Sequence, residues 1–369
     1  MRVAVLKETA EREQRVAVVP DSVVRLLKAG ATVAVEHDAG AAAGFADALY
    51  VKAGATIAAD AAEACAGAAV VCKVQKPTLD EAARLSAGTV LVSLLPAGQS
   101  ADLLARLAER QVTALALERV PRISRAQSMD VLSSQATVAG YKAVLLAAGA
   151  LPRFLPMLTT AAGNIPPAKA FVLGAGVAGL QAIATARRLG AVVSAFDVRA
   201  AVKEQVHSLG AKFIAAELAA GAAETAGGYA KEQAADAQAR TQAAIAAVLP
   251  EMDLVITTAA IPGKRAPVLI AEEMVRTMKA GAVLVDLAAE SGGNCAITVP
   301  GETVTRHGVT IMGPLNLPST LPTHASAMFS RNVLELLQHL APKDQGLTID
   351  LADEITGPMA VTHGGQVRP

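Results

Sequence analysis

The segment over residues 171–180 most constrains the fold of this chain, because an apolar run there leads directly into G-x-G-x-x-G. A strand, a glycine-rich turn and a helix in this order begin the βαβ unit of a dinucleotide-binding fold. The first glycine permits the tight turn, the second lets the backbone approach a pyrophosphate, and the third lets the helix pack close to the sheet. These glycines are Gly174, Gly176 and Gly179.

An aspartate stands where such a fold places the residue that binds a ribose. A helix predicted over 177–190 is followed by an apolar run over 191–196, and Asp197 comes directly after it. Its spacing from the glycines is near the roughly 20 residues at which a carboxylate accepts the adenosine ribose hydroxyls and repels a 2′-phosphate. The sequence therefore predicts that the chain binds NAD(H) and not NADP(H).

Length and composition favour two α/β domains, because 369 residues exceed one ordinary core. Hydrophobic residues make up 53% and aromatic residues only 2%, so the cores must be built from Val, Leu, Ile and Ala. Lys and Arg balance Asp and Glu at 33 each, without a basic cluster typical of nucleic-acid binding. The three cysteines lack metal-ligand spacing, so we expect reduced buried thiols and no metal site.

Strand and helix signals alternate along the chain, which predicts two Rossmann-like α/β domains, the second a doubly wound parallel sheet that binds NAD. We expect a discontinuous first domain over 1–127 and 320–369, and a second domain over 128–319. The predicted strands cover residues 3–6, 32–36, 70–74, 90–95, 113–117, 170–173, 191–196, 211–215, 253–257, 282–286 and 309–312. The predicted helices cover 21–29 with Asp21 as N-cap, 80–85, 101–109, 128–148, 177–190 and 323–340.

The ends of the chain and its apolar runs indicate a cytoplasmic protein without a membrane span. The N-terminal segment over 1–8 has the pattern of a first strand and not of a signal peptide. The closest apolar run, over 143–165, is interrupted by Arg153 and by prolines, so it is too short to cross a bilayer.

A polar segment over 121–130, continued to Gln135, concentrates groups suited to binding a nicotinamide. Arg122 and Asp130 have the charges for an ion pair, while Gln127 and Ser133 offer an amide and a hydroxyl to a carboxamide. The alternative is a polar helix start with a surface salt bridge. We expect each of the six histidines in a helix, a strand or the tail and none beside the glycine-rich turn, so an obvious general acid or base is missing.

Further segments match one protein family over nearly the whole chain. They cover residues 15–17, 73–77, 121–130, 174–186, 197–199, 224–232, 261–264 and 292–295. With these segments the chain resembles the NAD(H)-binding component, the alpha-1 subunit or domain I, of the proton-translocating NAD(P) transhydrogenases. That resemblance implies direct transfer of hydride from NADH to NADP+ bound on a partner subunit.

The resemblance also implies roles for individual residues. Catalytic positions around the nicotinamide would be Arg122, Gln127, Asp130, Ser133 and Tyr229. The remaining nucleotide-binding positions would be Ile123, Ser124, Arg125, Ser128 and Met129 in the polar segment, Gly174, Gly176, Val177 and Gly179 at the turn, and Asp197, Val198, Arg199, Gly228 and Ala260. Gly228 and Tyr229 would belong to a loop that closes over the nucleotide, although an inert linker is the alternative for 221–228.

The partners implied by the resemblance are a second copy of the chain, an NADP(H)-binding beta subunit and a membrane-spanning alpha-2 subunit. The chain would then lie on the cytoplasmic face of the inner membrane, held there through its partners, and protons would cross the bilayer in the partner and not in this chain.

Two alternative functions remain open at this point. The first is alanine dehydrogenase, a relative with the same fold, whose groups for the substrate carboxylate match Arg15 and Lys73. Its catalytic histidine would fall in 92–96, where this chain has Leu94, and its catalytic aspartate corresponds to Glu290. The second is a non-catalytic NAD-binding module, which the glycine-rich fold alone would support.

Overall fold

The computed structural model describes residues 1–96, 98, 100–215, 235–260, 264–342 and 345–369. The chain forms two compact units, one of Met1–Gln135 with Pro318–Pro369 and one of Ala136–Leu317. The sequence placed the divisions after residues 127 and 319. The structure places the first division further along because Met129 and Val131 still belong to the core of the first unit.

The secondary structure follows in chain order. The strands are β1 (Arg2–Val5), β2 (Thr32–Glu36), β3 (Thr56–Ala58), β4 (Val70–Cys72), β5 (Val90–Ser93), β6 (Thr113–Ala116), β7 (Leu158–Thr160), β8 (Gly163–Ile165), β9 (Lys169–Leu173), β10 (Val192–Phe196), β11 (Lys212–Ile214), β12 (Leu254–Thr257), β13 (Val283–Asp286), β14 (Thr303–Arg306), β15 (Val309–Met312), β16 (Ala360–His363) and β17 (Gln366–Val367). The α-helices are α1 (Pro20–Lys28), α2 (Asp47–Ala53), α3 (Ala61–Cys65), α4 (Leu79–Arg84), α5 (Ala101–Glu109), α6 (Val131–Ala150), α7 (Val177–Arg188), α8 (Lys203–Ser208), α9 (Ala235–Ala246), α10 (Glu272–Val275), α11 (Pro322–Leu340) and α12 (Thr356–Met359).

In the described residues of the first unit, eight strands form one sheet in the order β17-β16-β6-β5-β4-β1-β2-β3. The strands from β1 to β6 are parallel, and β16 and β17 extend the sheet by antiparallel pairing. The parallel strands have the 3-2-1-4-5-6 order of a Rossmann fold. The faces of the sheet are covered by two apolar clusters that are rich in Val, Leu and Ala.

The described residues of the second unit form a seven-stranded sheet in the order β11-β10-β9-β12-β13-β15-β14. All neighbours are parallel except β14, which pairs antiparallel with β15. The parallel strands again have the 3-2-1-4-5-6 order, with β9 and β12 at the point where the order reverses. The prediction of two Rossmann-like α/β folds, the second with a doubly wound sheet, is therefore confirmed.

Several details of the sequence prediction are wrong or incomplete. Asp21 is not the N-cap of α1, because Val19 takes that position and Pro20 occupies the first helical position, where its missing N–H costs nothing. The prediction omitted β3, β7, β8, β14, β16 and β17, and the helices α2 and α3. These elements are seven residues long or shorter, too short to develop a clear periodicity.

Among the described residues, α6 is the helix long and apolar enough to cross a membrane. One such helix is weak evidence, because the core helix of a soluble protein passes the same test. Naming 143–165 as the most apolar run was wrong, since α6 contains no proline and Lys142 is its one charged residue. Ala143, Val144 and Ala147 on this helix are buried in the core of the second unit.

Candidate functional site

The glycine-rich turn joins β9 to α7 at the carboxyl edge of the second unit's sheet. Gly174 has φ +96°, and a Cβ there would lie 2.6 Å from Thr258 Oγ1. A Cβ on Gly179 would lie 1.8 Å from the carbonyl oxygen of Gly174, so the helix can pack this close only without a side chain. A Cβ on Gly176 would meet only Arg199 Nη2, at 4.0 Å. Two glycines are thus required by the fold, and the third borders open space.

The start of α7 leaves its backbone amides available to a ligand. Gly176 is the N-cap and has no side chain that could accept a hydrogen bond, and the first turn carries no acidic residue. Val177, the first helical residue, is more than a third exposed. The first N–H groups of a helix lack partners within the helix and carry partial positive charge, so this end suits a phosphate.

Asp197 follows β10 and is held firmly against the turn. Its Oδ2 accepts hydrogen bonds from the Ala175 N–H at 2.7 Å and from Arg199 Nη2 at 2.8 Å. Its Oδ1 accepts from the backbone N–H and the Nε of Arg199, both at 2.9 Å. The carboxylate predicted to bind the ribose therefore lies beside the middle residue of the first Gly-x-Gly, with an arginine bound to both of its oxygens. Val198 between them is partly buried against the core.

The segment after β12 supports the glycine-rich turn from the neighbouring strand. The Thr258 N–H donates to the carbonyl oxygen of Leu173 at 2.8 Å. Its hydroxyl lies 3.3 Å from the same oxygen and 3.2 Å from the carbonyl oxygen of Gly174. Ala260, two residues further on, is exposed, as a residue that lines a binding site has to be.

A buried polar network fixes this segment from β13. Asp286 is fully buried, and each of its oxygens accepts more than one hydrogen bond at 2.8–3.0 Å. The donors are Thr257 Oγ1, Thr298 Oγ1 and the backbone N–H groups of Ala288, Asn294 and Cys295. The Asn294 amide in turn accepts from the Ala259 N–H at 3.0 Å and donates to the Ala259 carbonyl at 2.8 Å.

This network was missed at the level of sequence, although its components were visible. Asp286 closes a predicted strand, and Asn294 lies in the segment 292–295 that matched the transhydrogenases. A carboxylate at the end of a strand is a signal, but the donors that surround it come from distant positions in the chain.

The polar segment of the first unit forms a short 3₁₀ turn over Ser124–Met129 that leads into α6. Ala126 and Met129 are buried and anchor the turn, and Ile123 packs against the same core. The Arg122, Ser124, Arg125, Gln127 and Ser128 side chains are exposed.

Asp130 has a structural partner in this segment. Its Oδ1 accepts from the Ser133 N–H at 2.9 Å and its Oδ2 from the Ser133 hydroxyl at 2.6 Å, which caps the start of α6. The Ser128 carbonyl accepts from Asn332 at 2.7 Å, and Arg125 pairs with Asp353 at 3.3 Å. The structure thus brings Asp130 and Ser133 together and holds the turn on α11.

The histidine positions were predicted wrongly in two cases. His37 directly follows β2, and His307, with φ +53°, lies in the turn between β14 and β15. His207, His324, His339 and His363 do lie in α8, α11 and β16. His37 Nδ1 lies 2.6 Å from Asp47 Oδ2, and both residues form a group with Asp38 whose ligand atoms lie within 4.8 Å of one another. The Asp38 N–H also bonds Asp47, at 3.1 Å, so the group closes a surface turn.

Gly228 and Tyr229, predicted to belong to a closing loop, lie outside the described residues.

A cluster of buried charges lies at the carboxyl edge of the first unit's sheet. Arg15 donates from Nε and Nη2 to the two oxygens of Glu13 at 2.8 and 2.7 Å, and from Nη1 to Gln135 Oε1 at 2.8 Å. Lys73 donates to Glu81 Oε1 at 2.8 Å and lies 3.9 Å from Glu8. Both cations therefore already have carboxylate partners from this chain.

The carboxylates around Lys73 differ in their protonation. Burial raises the pKa of Glu8 to about 7, and the charge of Lys73 opposes that rise only in part. For Glu81, burial also acts to raise the pKa, but hydrogen bonds from Lys73 and from the Thr78 backbone outweigh it and lower the pKa. Lys73 is thus neutralised mainly by Glu81.

The fold and the glycine-rich turn define a dinucleotide-binding α/β oxidoreductase, and comparison with known proteins gives its family. Family models described as Alanine dehydrogenase/PNT, N-terminal domain and C-terminal domain match residues 4–139 and 143–369. The chain belongs to this family.

Within the family, similarity is greater to transhydrogenase alpha subunits than to alanine dehydrogenases. The first of the separate chains that make up NAD(P) transhydrogenase subunit alpha in Rhodospirillum rubrum is 49% identical, with 100% of this chain and 97% of that protein covered. The crystal structure of transhydrogenase from Sinorhizobium meliloti matches with a TM-score of 0.87 at 42% identity, covering 100% of this chain and 98% of that one. Alanine dehydrogenase of Bacillus subtilis is 30% identical, with 96% and 88% covered. The resemblance inferred from the motifs is confirmed.

Proposed function

We propose that this chain binds NAD(H) at the carboxyl edge of the second unit's sheet and passes hydride from NADH directly to NADP+ on a partner subunit. One observation carries the proposal: the glycine-rich turn follows β9 at the point where the strand order reverses, with Asp197 bonded to it. Open α/β sheets bind their ligands at such points.

The residues at the turn fit a dinucleotide. The open space beside Gly176 and the free amides of α7 suit a pyrophosphate. Asp197 lies at the end of the adjacent strand, where its carboxylate can accept from the ribose hydroxyls. Val198 and Arg199 follow it and complete the proposed adenosine side, and the exposed Ala260 lines the site from the next strand.

For the nicotinamide end we propose the polar segment of the first unit. When bound, NADH supplies a hydride, and hydride transfer between two nicotinamides moves no substrate proton. Positioning is then the main task of the protein. Arg122 and Gln127 are exposed on a turn that is anchored by buried neighbours, so they can orient a carboxamide without a large loss of entropy. Asp130 and Ser133 hold the start of α6 in place beneath them.

The contacts of Arg15 and Lys73 argue against alanine oxidation. A substrate carboxylate would have to compete with Glu13 for Arg15 and with Glu81 for Lys73. Leu94, at the position of the dehydrogenase's catalytic histidine, has a hydrocarbon side chain that transfers no proton. Glu290, at the position of its catalytic aspartate, accepts a hydrogen bond from the Asn316 N–H.

We further propose that two copies of the chain associate and dock an NADP(H)-binding beta subunit and a membrane-spanning alpha-2 subunit. NADP(H) would be bound by the beta subunit, and the chain would lie at the cytoplasmic face of the inner membrane through these partners. The names of its relatives, which describe an alpha subunit and in one case a divided one, support a complex of several subunits.

One experiment separates the three candidate functions. Purified protein is mixed with NADH and tested in two ways: with an NADP(H)-binding transhydrogenase subunit and NADP+, and with pyruvate and ammonia. We expect oxidation of NADH only in the first mixture. Oxidation in the second would establish an alanine dehydrogenase, and tight NADH binding without oxidation in either would establish a non-catalytic module.

A further inference from the structure

The adenosine side of the proposed site contains both of the residue types that usually distinguish the two nicotinamide cofactors. Proteins that bind NAD place an acidic residue after the second strand, and proteins that bind NADP have an arginine nearby for the 2′-phosphate. This chain has Asp197 in the first role and Arg199 two residues later. The structure places the two side chains in direct contact.

The bonds of Asp197 occupy its carboxylate fully. An ionised carboxylate has about four sites at which it can accept a hydrogen bond. The four bonds to Asp197, at 2.7–2.9 Å, come from the Ala175 N–H and from three N–H groups of Arg199. Asp197 therefore acts as a resident anion within the site, bound by a backbone amide and a guanidinium.

The guanidinium of Arg199 is already located at the nucleotide turn. Its Nη2 lies 4.0 Å from the place of a Cβ on Gly176, and its side chain is only 13% exposed. The fork of N–H groups that binds a carboxylate with two parallel bonds also matches a phosphate. Placement by the fold means that an incoming phosphate would not have to order this side chain.

We propose that Arg199 is a latent ligand for the 2′-phosphate of NADP(H), kept unavailable by Asp197. With Asp197 in place, a 2′-phosphate would have to displace the carboxylate from Arg199 and then remain beside its negative charge. Both effects oppose NADP(H), whereas a ribose hydroxyl needs only one accepting site and carries no charge. The preference for NAD(H) is thus a property of the pair and not of Asp197 alone. This inference rests on the proposed function, in which Asp197 lies at the adenosine ribose.

Equilibrium calorimetry with two small ligands tests the pair without involving the nicotinamide. The ligands are 5′-AMP and adenosine 2′,5′-bisphosphate, which differ only in the 2′-phosphate. We compare the wild-type protein with Asp197→Ser and with the double variant Asp197→Ser/Arg199→Ala. Asp197→Ser should bind the bisphosphate at least about 10-fold more tightly relative to 5′-AMP than the wild type does, because a charge-assisted bidentate contact becomes available.

The double variant identifies the source of that gain. Asp197→Ser/Arg199→Ala should lose it, whereas the control Asp197→Ser/Arg188→Ala should keep it, because Arg188 lies in the last turn of α7, at the opposite end of that helix. The gain should also shrink at high salt, since it depends on paired charges. Equal bisphosphate binding by Asp197→Ser and its Arg199 double variant, or no gain in Asp197→Ser, overturns the proposal.

Two checks keep the result interpretable. Asp197→Asn retains the planar shape of the side chain and provides the same comparison if Asp197→Ser does not fold, as judged by circular dichroism. Wild-type binding of 5′-AMP and NADH tests the proposed function separately. Failure of the wild type to bind either ligand would contradict that function, whereas failure of the variants alone would contradict only the role of Arg199.

Discussion

Single residues at the carboxyl edge of the second unit's sheet divide into those fixed by the fold and those that border open space. Asp286 is surrounded by donors from its own chain and is fully buried, so its role is to hold the neighbouring segment. Gly176 has room beside it and no role in packing. Asp197 lies between these cases, because its partners are internal but its position is at the turn. This division predicts which substitutions affect folding and which affect binding.

Arg122 and Gln127 should affect hydride transfer more than binding. We expect Arg122→Ala and Gln127→Asn to leave NADH affinity within a few-fold, because the adenosine half still anchors the nucleotide. The transfer rate should fall on the order of 10²-fold, the cost of misplacing a reacting group by about 1 Å. Single-turnover kinetics with the NADP(H)-binding partner, alongside NADH titration, measure both quantities. A loss of affinity as large as the loss of rate would indicate general anchoring instead.

The Thr258 hydroxyl should matter more than its methyl group. Thr258→Val removes the hydrogen bond to the glycine-rich turn but keeps the shape of the side chain, so we expect a loss of about 1 kcal/mol in stability and weaker NADH binding. Thr258→Ser keeps the hydroxyl and should bind NADH like the wild type. Thermal unfolding and NADH titration test the pair. Equal behaviour of the two variants would show that the hydroxyl does not support the turn.

At the level of elements, α7 is fixed by one glycine and serves binding through another. Gly179→Ala would place a methyl group 1.8 Å from the Gly174 carbonyl oxygen, so we expect a loss of about 1–3 kcal/mol in stability. Gly176→Ala has φ −77°, which any residue adopts, and open space, so its melting temperature should stay close to that of the wild type. Its methyl group would instead obstruct the pyrophosphate and weaken NADH binding.

Two measurements distinguish these glycine variants. Thermal unfolding without nucleotide should separate Gly179→Ala from the wild type, and NADH titration should separate Gly176→Ala from it. If Gly176→Ala binds NADH normally, the pyrophosphate does not approach the turn at that residue.

The sequence predicted most of the parallel strands and the position of the turn, because these depend on local signals. Strands such as β9 and β13 are continuous apolar runs, as expected where a sheet is covered on both faces. The short strand β3 and the antiparallel strands β14 and β16 gave no such signal. Their existence depends on a neighbouring strand that is far away or already formed.

The candidate site was predictable to the same extent. Gly174, Gly179 and Asp197 could be assigned geometric roles from spacing, and their backbone angles and contacts agree with those roles. The contact of Asp197 with Arg199 and the network around Asp286 were not predictable. They depend on side-chain orientation and on donors from several strands, which a spacing rule does not contain.

At the level of the whole molecule, the buried charges of the first unit should make stability depend on pH. The pKa of Glu8 is about 7 when folded, mainly because of burial, and near 4.5 in the unfolded chain. Between these values the folded protein retains a proton that the unfolded chain has lost, so stability falls as pH rises toward 7 and then levels off. Glu8→Gln, which resembles the protonated form, should reduce that fall.

Urea unfolding at about pH 5 and about pH 8 measures the effect as the difference in unfolding free energy. Glu11→Gln is the control, because it removes a carboxylate from the same segment whose side chain is 88% exposed. An equal pH dependence in Glu8→Gln and the wild type would mean that Glu8 is ionised in the folded protein at both values.

The pH dependence of the reaction should differ from that of stability. Direct hydride transfer between nicotinamides moves no substrate proton, so its rate should be nearly constant from about pH 6 to about pH 9, where the protein remains folded. Stopped-flow single turnovers with the NADP(H)-binding partner should also show a slower rate with NADH deuterated at the transferred position and no change in heavy water. A rate that follows one ionisation, or a large effect of heavy water, would show that a side chain moves a proton in the chemical step. Such a result would revive the dehydrogenase interpretation, for which Glu8 and Glu290 would then be the first carboxylates to replace.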